Sequence, residues 1–542
     1  MIDLSKHSGL LIDDVPEMRS AARIQLADCG LERCDEARNI REAIERLSAS
    51  RYDLIICDYN LGQGADGQQL LELLRRRKIL PLTAVFLMIT GETAYEQVAT
   101  AAEYTPDDYL IKPFTSKTLQ TRLERIIDKK QALRPVYAHL GERGDKQKAL
   151  AECDLLLAQS SRYALDMLRI KGELLLDMQR NDEALALYRE VLDQRATPWA
   201  SVGLARALAA RGDGADAREH LGKALEAYPN YLAAYDSLAR LLEKEDRAAA
   251  QAVVEQALKV APSTQRQRQL GALALDNQDF ARAEEAFRRA VEKDRTGFFK
   301  SHDDYSGLAK SRVAQGKVTE ALVAVKEMSR HFSRSPELAV HQAAAESIVH
   351  AKSGNPEAAQ AALARALAAA ETGDDMAVSA SLELANACFA CGDQEQAKRI
   401  LQTVAEDHQE NEDVLQRAQA VFRAAGLEAE GEAFLEATRK RMITLNNDAV
   451  ALAKAGEIEK AGTMLDEAAD RLRNNAQVSI NAAIAAMMGV QRRGPSEALI
   501  NKAHRYITQA SRANPDHPRL GEAVKLYRKL APADAPALVV DS

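Results

Sequence analysis

The sequence predicts two structural classes in one chain. A five-stranded parallel α/β sheet occupies residues 1–130, and an all-α superhelix of repeated helix pairs occupies residues 131–530. Three observations predict this. Short apolar runs alternate strictly with helical patterns over the first part, which implies a parallel sheet covered on both faces. Strand signals vanish after residue 131, and alanine and leucine abound after residue 140. Alanine pairs then recur at a nearly fixed interval, the signature of a repeat array. A chain of 542 residues is in any case too long for a single compact core.

In the first part, Gly9–Ile12, Leu54–Cys57, Ala84–Ile89 and Tyr109–Ile111 read as buried strands, with a poorer strand near Leu31–Cys34. Between them, Pro16–Asp28, Arg38–Ala49, Gly67–Arg76, Ala94–Ala102 and Ser116–Lys129 carry apolar residues at helical spacing. Pro135 is expected to end the last helix and mark the boundary.

Functional groups of such sheets gather at the C-terminal ends of the strands. The first strand ends in Asp13 and Asp14, the third in Asp58 and the fourth in Thr90, and Lys112-Pro113-Phe114 follows the fifth. Carboxylates converging on one edge repel unless a hard cation lies among them, and magnesium suits an all-oxygen site. A lysine and a hydroxyl beside that ion would hold the remaining oxygens of a phosphoryl group, with Asp58 as the nucleophile forming an acyl phosphate.

The stretches LLIDD, LIICDYN, LMITGE and DYLIKPF within residues 8–130 resemble a response-regulator receiver domain, a flavodoxin-like (CheY-like) fold. The resemblance implies that Asp14 is a direct Mg2+ ligand and that Asp13 acts mainly through water. Asp58 would be both ligand and phosphoacceptor, and the backbone carbonyl of Asn60 a further ligand. It also implies that Thr90 and Lys112 receive phosphoryl oxygens, that Tyr109 is an aromatic switch following Thr90, and that the bond before Pro113 is cis. Asn60 and Glu92, two residues beyond Asp58 and Thr90, hold the positions that tune dephosphorylation, and this polar pair implies a short-lived mark. Many relatives have proline four residues after the phosphoacceptor; here it is Gly62, so a more flexible loop is expected.

Beyond the boundary, the pairs Ala217/Ala224, Ala250/Ala257 and Ala283/Ala290 recur every 33 residues, then Ala321/Met328, Ala359/Ala366 and Ala397/Val404 every 38. Ala184/Val191 and Ala461/Ala468 belong to an earlier and a later unit. Gly212, Gly316, Gly392 and Gly456 lie five residues before the first member of a pair, and Pro229 and Pro262 five after the second. Glycine permits a left-handed turn between helices, small residues permit close approach, and proline stops the second helix. Sections such as ALALYREVL and AEEAFRRAV resemble tetratricopeptide repeats, with the steps of 38 implying longer helices or turns. Stacked units of this kind bind protein along a groove, for which Arg206, Arg240 and Lys310 are candidate lining residues. Trp199 reads as a packing residue at a helix start, and the tail from 531 to 542 as disordered.

A net charge of -8 disfavours nucleic-acid binding through phosphate neutralisation. The opening MIDLSKHSGL lacks the pattern of a signal peptide, and no apolar run is long enough for a membrane span. Six scattered cysteines suit a reducing compartment, so a cytoplasmic bacterial protein is expected. The lone C-x-x-C of Cys388 and Cys391 reads as two small residues near a helix end rather than a metal site. No cluster of nucleophile, base and oxyanion donors marks a further enzyme in the helical part. The expected function is therefore a response regulator. It would be phosphorylated by a histidine kinase or phosphotransfer protein, deliver its output through a protein bound by the repeats, and be able to pair with a second copy through residues 92–127. The competing expectation is a scaffold or adaptor whose receiver is a docking module or phosphate sink.

Overall fold

A computed structural model describes residues 4–62, 66–91, 105–140, 144–159, 162–293, 300–333, 335–371, 376–515, 517–532, 535, 536 and 538. The chain divides into two compact units, residues 1–304 and 305–542.

The first unit opens with strands β1 (Ser8–Ile12), β2 (Arg33–Ala37), β3 (Leu54–Asp58), β4 (Val85–Thr90) and β5 (Asp108–Ile111). They form one parallel sheet in the order β2-β1-β3-β4-β5. Period-two alternation sends Leu11, Leu54, Ile56, Leu87 and Ile89 to one face, where α1 (Pro16–Asp28) packs. Leu10, Ile12, Ile55, Phe86 and Met88 go to the other, against α2 (Ile40–Ala49) and α3 (Gly67–Arg76). Leu119, Leu123, Ile126 and Ile127 of α4 (Ser116–Tyr137) join the first layer.

Four expectations need correction or restriction. The second strand lies at Arg33–Ala37 rather than Leu31–Cys34, because it is a sheet edge whose alternating exposure gives a weak apolar signal. Helix α2 starts at Ile40, where the Asn39 side chain accepts from the Glu42 N–H and so caps the first turn. Pro135 does not end α4, which continues to Tyr137 because Leu133 and Val136 are buried and their packing overrides the missing N–H. The helix expected at 94–102 lies outside the described residues.

The rest is antiparallel helix pairs. Examples are Pro198–Arg211 with Gly214–Ala227 in the first unit, and Leu338–Lys352 with Pro356–Glu371 in the second. Gly212, Gly316, Gly392 and Gly456 all take left-handed φ values between 79° and 94° at the turns. The paired alanines from Ala217 to Ala397 are 0–3 % exposed, so they are the surfaces through which helices approach. Close approach also explains Gly172 and Gly203, where an added Cβ would lie 2.5 Å from the Tyr188 hydroxyl and 2.3 Å from its ring. Trp199 packs edge-on to that ring, 6.2 Å between centroids. Cys388 is buried and Cys391 caps the helix Val378–Ala390.

After Ala424 the repeat pattern breaks, because Glu428–Lys454 is a single helix of 27 residues. It packs on Glu412–Ala424 before it and on Ile458–Arg471 after it, so one helix serves two pairs. The tail is packed where it is described: Leu538 is 3 % exposed and the Tyr527 hydroxyl donates to the Pro536 carbonyl (3.0 Å). Its short run of alanine and proline gave no periodicity from which this packing could be read. Among the described residues, no helix is long and apolar enough to cross a membrane.

Candidate functional site

Each strand end delivers a different group to one edge of the sheet. Asp13, just beyond β1, is 3 % exposed; its Oδ1 accepts from the Val15 N–H (2.9 Å) and its carbonyl accepts from the Arg19 guanidinium (2.7 Å). Arg19 is itself held by Glu36, so the turn carrying Asp13 and Asp14 is braced from two sides. Asp58 closes β3 and is 8 % exposed. Thr90 closes β4, is 1 % exposed, and its carbonyl accepts from the Lys112 N–H (2.8 Å). The Lys112–Pro113 bond is cis.

These groups converge. The Lys112 ammonium lies 2.9 Å from Asp58 Oδ1 and 3.2 Å from Asp13 Oδ2. Oxygens of Asp13, Asp14 and Asp58 all lie within 4.8 Å of one another. Burial pushes the Asp58 carboxyl up from its ordinary pKa, Lys112 opposes this, and Asp13 reinforces it. Burial alone would lower the Lys112 pKa, but its bonds and attraction to Asp58 and Asp13 leave it raised, so the ammonium stays charged. Three close carboxylates balanced by one ammonium carry excess negative charge, and an all-oxygen donor set of this kind fits a hard divalent cation.

The loop after Asp58 is built around this edge. Asn60 pairs with Asp66 through the backbone, and the Gly67 N–H donates to the Tyr59 carbonyl (2.8 Å). Asp66 caps α3 in a capping box with Gln69. A Cβ on Gly67 would lie 2.4 Å from the Asp58 carbonyl, and one on Gly62 would lie 2.8 Å from Asp14 Oδ2. Gly62, with φ +77°, is therefore fitted against the acidic pair. The sequence reading missed Gly67, Asp66 and Arg19. The D-x-x-Q spacing of Asp66 and Gln69 was a readable signal for the cap, whereas nothing local marks Arg19.

Tyr109 is half-buried on β5 and lines a cavity of about 270 Å³ with Ile111, Phe114 and Arg122. Glu92 lies outside the described residues, as do 92–104 of the expected pairing face. In the repeats, Arg206 is committed to Glu173 (2.7 Å) and Lys310 to Glu383 (2.5 Å), while Arg240 is exposed.

Comparisons with known proteins agree with this architecture. Residues 10–124 match the response regulator receiver domain model, and residues 175–242, 239–298 and 350–422 match tetratricopeptide repeat models. Chemotaxis protein CheY-3 from two strains of Vibrio cholerae serotype O1 is 33 % identical over 120 residues, 22 % of this chain and 91 % of the relative. Chemotaxis protein CheY of Pseudomonas aeruginosa is 32 % identical over 123 residues, 22 % of this chain and 95 % of the relative. A tetratricopeptide repeat protein from Parabacteroides merdae covers 49 % of this chain and 98 % of its own at 13 % identity, with a TM-score of 0.31. The chain belongs to the response regulators through its receiver domain, and carries tetratricopeptide repeats behind it. A receiver implies a phosphodonor and the repeats imply protein binding.

Proposed function

We propose that this protein is a phosphorylation-controlled adaptor: Asp58 accepts a phosphoryl group from a histidine kinase or phosphotransfer protein, and the repeats deliver the output by binding another protein. The observation that carries this reading is the meeting of three carboxylates and the Lys112 ammonium at one strand edge. An Asp58 carboxylate oxygen attacks phosphorus, the bond from phosphorus to the donor's imidazole nitrogen breaks, and the nitrogen leaves with its electron pair. Lys112, already beside Asp58, stabilises charge on the transferred oxygens, and the Thr90 hydroxyl, which donates to the Gly91 carbonyl (3.2 Å), turns to another. Asp13, Asp14, Asp58 and the Asn60 carbonyl would hold Mg2+, which when bound neutralises phosphoryl charge. Asn60 and Glu92 set the rate at which water removes the group.

Coupling to the repeats has a continuous path. Helix α4 leaves the receiver and its Val136 enters a core with Ala149, Cys153 and Leu174. Asp128 accepts from the Tyr163 hydroxyl (2.7 Å) and Lys129 pairs with Asp166 (2.5 Å), tying α4 to the helix Ala164–Asp177. A change of Tyr109 beside the start of α4 therefore reaches the first repeats without a flexible linker.

The test is labelling by radioactive acetyl phosphate. Wild type with Mg2+ should be labelled, whereas Asp58→Asn, or wild type with a chelator, should not. Label remaining on Asp58→Asn would sink the assignment.

A further inference from the structure

Every polar group of Asp13 is committed. Its N–H donates to the Ala37 carbonyl (3.2 Å), its Oδ1 accepts from the Val15 N–H (2.9 Å), and its Oδ2 lies 3.2 Å from the Lys112 ammonium. Its carbonyl accepts from Nη1 of Arg19 at 2.7 Å. That carbonyl belongs to the peptide unit joining Asp13 to Asp14, and a peptide unit is planar. Arg19 therefore holds the plane that links the two acids. The turn has no cap of its own, because Val15 precedes α1 without a side-chain hydrogen bond to it. Arg19, one turn into α1, reaches back to supply the missing hold.

Arg19 is 8 % exposed, and a charge so far from water needs a partner. Glu36 supplies it: Nε of Arg19 donates to Oε2 at 3.3 Å, while Oε1 accepts from the exposed Arg23 at 2.9 Å. Glu36 pairs with Leu11 on β1 and stands next to Ala37, the residue that receives the Asp13 N–H. One edge strand thus fixes Asp13 directly, and fixes Arg19 through Glu36. The carboxylate also offsets the guanidinium charge, so the acids keep the negative excess that draws a cation. Groups standing behind metal ligands orient them, and their loss typically weakens binding about 10–100-fold.

We propose that Arg19 is a positioning residue that sets the affinity of the acidic pair for a divalent cation, acting through the Asp13–Asp14 peptide and anchored by Glu36. This rests on the reading of the strand edge as a Mg2+ site for phosphoryl transfer. It adds a residue that works only through the backbone of the acids.

The experiment titrates the full-length protein with Mn2+ and counts free ion by electron paramagnetic resonance. Asp14→Asn should lose the site, which separates it from ions held elsewhere on an acidic surface. Arg19→Gln should bind Mn2+ about tenfold more weakly than wild type, the lower end of such losses. Glu36→Gln should show a smaller loss in the same direction. Because the two residues act in series, the double variant should be little worse than Arg19→Gln alone. The Mg2+ concentration that half-saturates acetyl-phosphate labelling should rise in parallel, and raising Mg2+ should recover most of the label. Circular dichroism melting in chelator checks the fold. Should Arg19→Gln fail to fold, Glu36→Gln, altered at a half-exposed edge, decides by the same criterion. Wild-type Mn2+ affinity in a folded variant would overturn the positioning role while leaving the cation site. Label that stays low at saturating Mg2+ would overturn it too, since Arg19 would then act on the transfer itself. Equal binding by wild type and Asp14→Asn would overturn the cation site and the proposal together.

Discussion

Asp58 and Lys112 sit 2.9 Å apart because residues that carry no chemistry hold the strand ends close. Gly67 is the sharpest case, since the first turn of α3 lies so near Asp58 that a Cβ there would meet its carbonyl at 2.4 Å and the Met88 sulfur at 2.9 Å. Gly67→Ala should therefore destabilise the receiver by about 1–3 kcal/mol and shift the end of β3 that carries Asp58. Chemical denaturation together with the acetyl-phosphate labelling rate would check this; unchanged values in both would show that α3 relaxes freely. The acids, the threonine and the lysine were legible because each stands directly after an apolar strand. Gly67 and Arg19 were not, because their roles depend on contacts that no local spacing encodes.

Helix α4 shows how tertiary packing outweighs a local signal at the scale of an element. Pro135 reads as a stop, but Leu133 and Val136 are 1 % and 0 % exposed on either side of it, so the helix continues into the repeats. Lys130 fixes the same helix to the sheet. Its ammonium is 2.8 Å from Asp107 and donates to the Leu82 carbonyl at 2.7 Å. Burial pushes its pKa down and Asp107 opposes this. Lys130→Met should cost roughly 3–5 kcal/mol because it strands the half-buried Asp107 carboxylate. The Lys130→Met/Asp107→Asn double variant should recover part of that loss, and a double-mutant cycle of unfolding free energies measures it. Additive losses would mean that the pair is not coupled. The regular helix pairs were legible from their alanines. The 27-residue helix Glu428–Lys454 was not, because it lacks the internal glycine turn or proline stop by which the pairs were recognised.

At the scale of the whole molecule, the regular helix pairs of the first unit pack mainly on their neighbours in sequence, and their stability should be local in the same way. Ala224 is 3 % exposed at a helix crossing, so Ala224→Phe should overpack one pair at a cost of about 1–3 kcal/mol. Labelling of Asp58 should survive, and its loss would mean that receiver and repeats fold as one cooperative piece. In the second unit, the Glu410 carboxyl is held below its ordinary pKa, chiefly by the hydrogen bond from His517 at 3.3 Å. A depressed carboxylate stabilises the fold above its unfolded pKa, and that contribution is lost as the pH falls through the folded value. The stability gap between wild type and His517→Gln should thus be present at neutral pH and close on acidification through the glutamate range. A gap independent of pH in thermal melts would contradict this pairing. The central claim is that a phosphoryl group on Asp58 changes how the receiver meets the first repeats, through Tyr109 and α4. Allosteric couplings of this kind are typically about 1–3 kcal/mol. Hydrogen exchange across residues 105–177, with and without beryllofluoride, measures it most directly. The account predicts altered protection in α4 and the helix Ala164–Asp177 of wild type, and a weakened change in Tyr109→Ala that still binds beryllofluoride. No change in wild type, or an identical change in Tyr109→Ala, would contradict it.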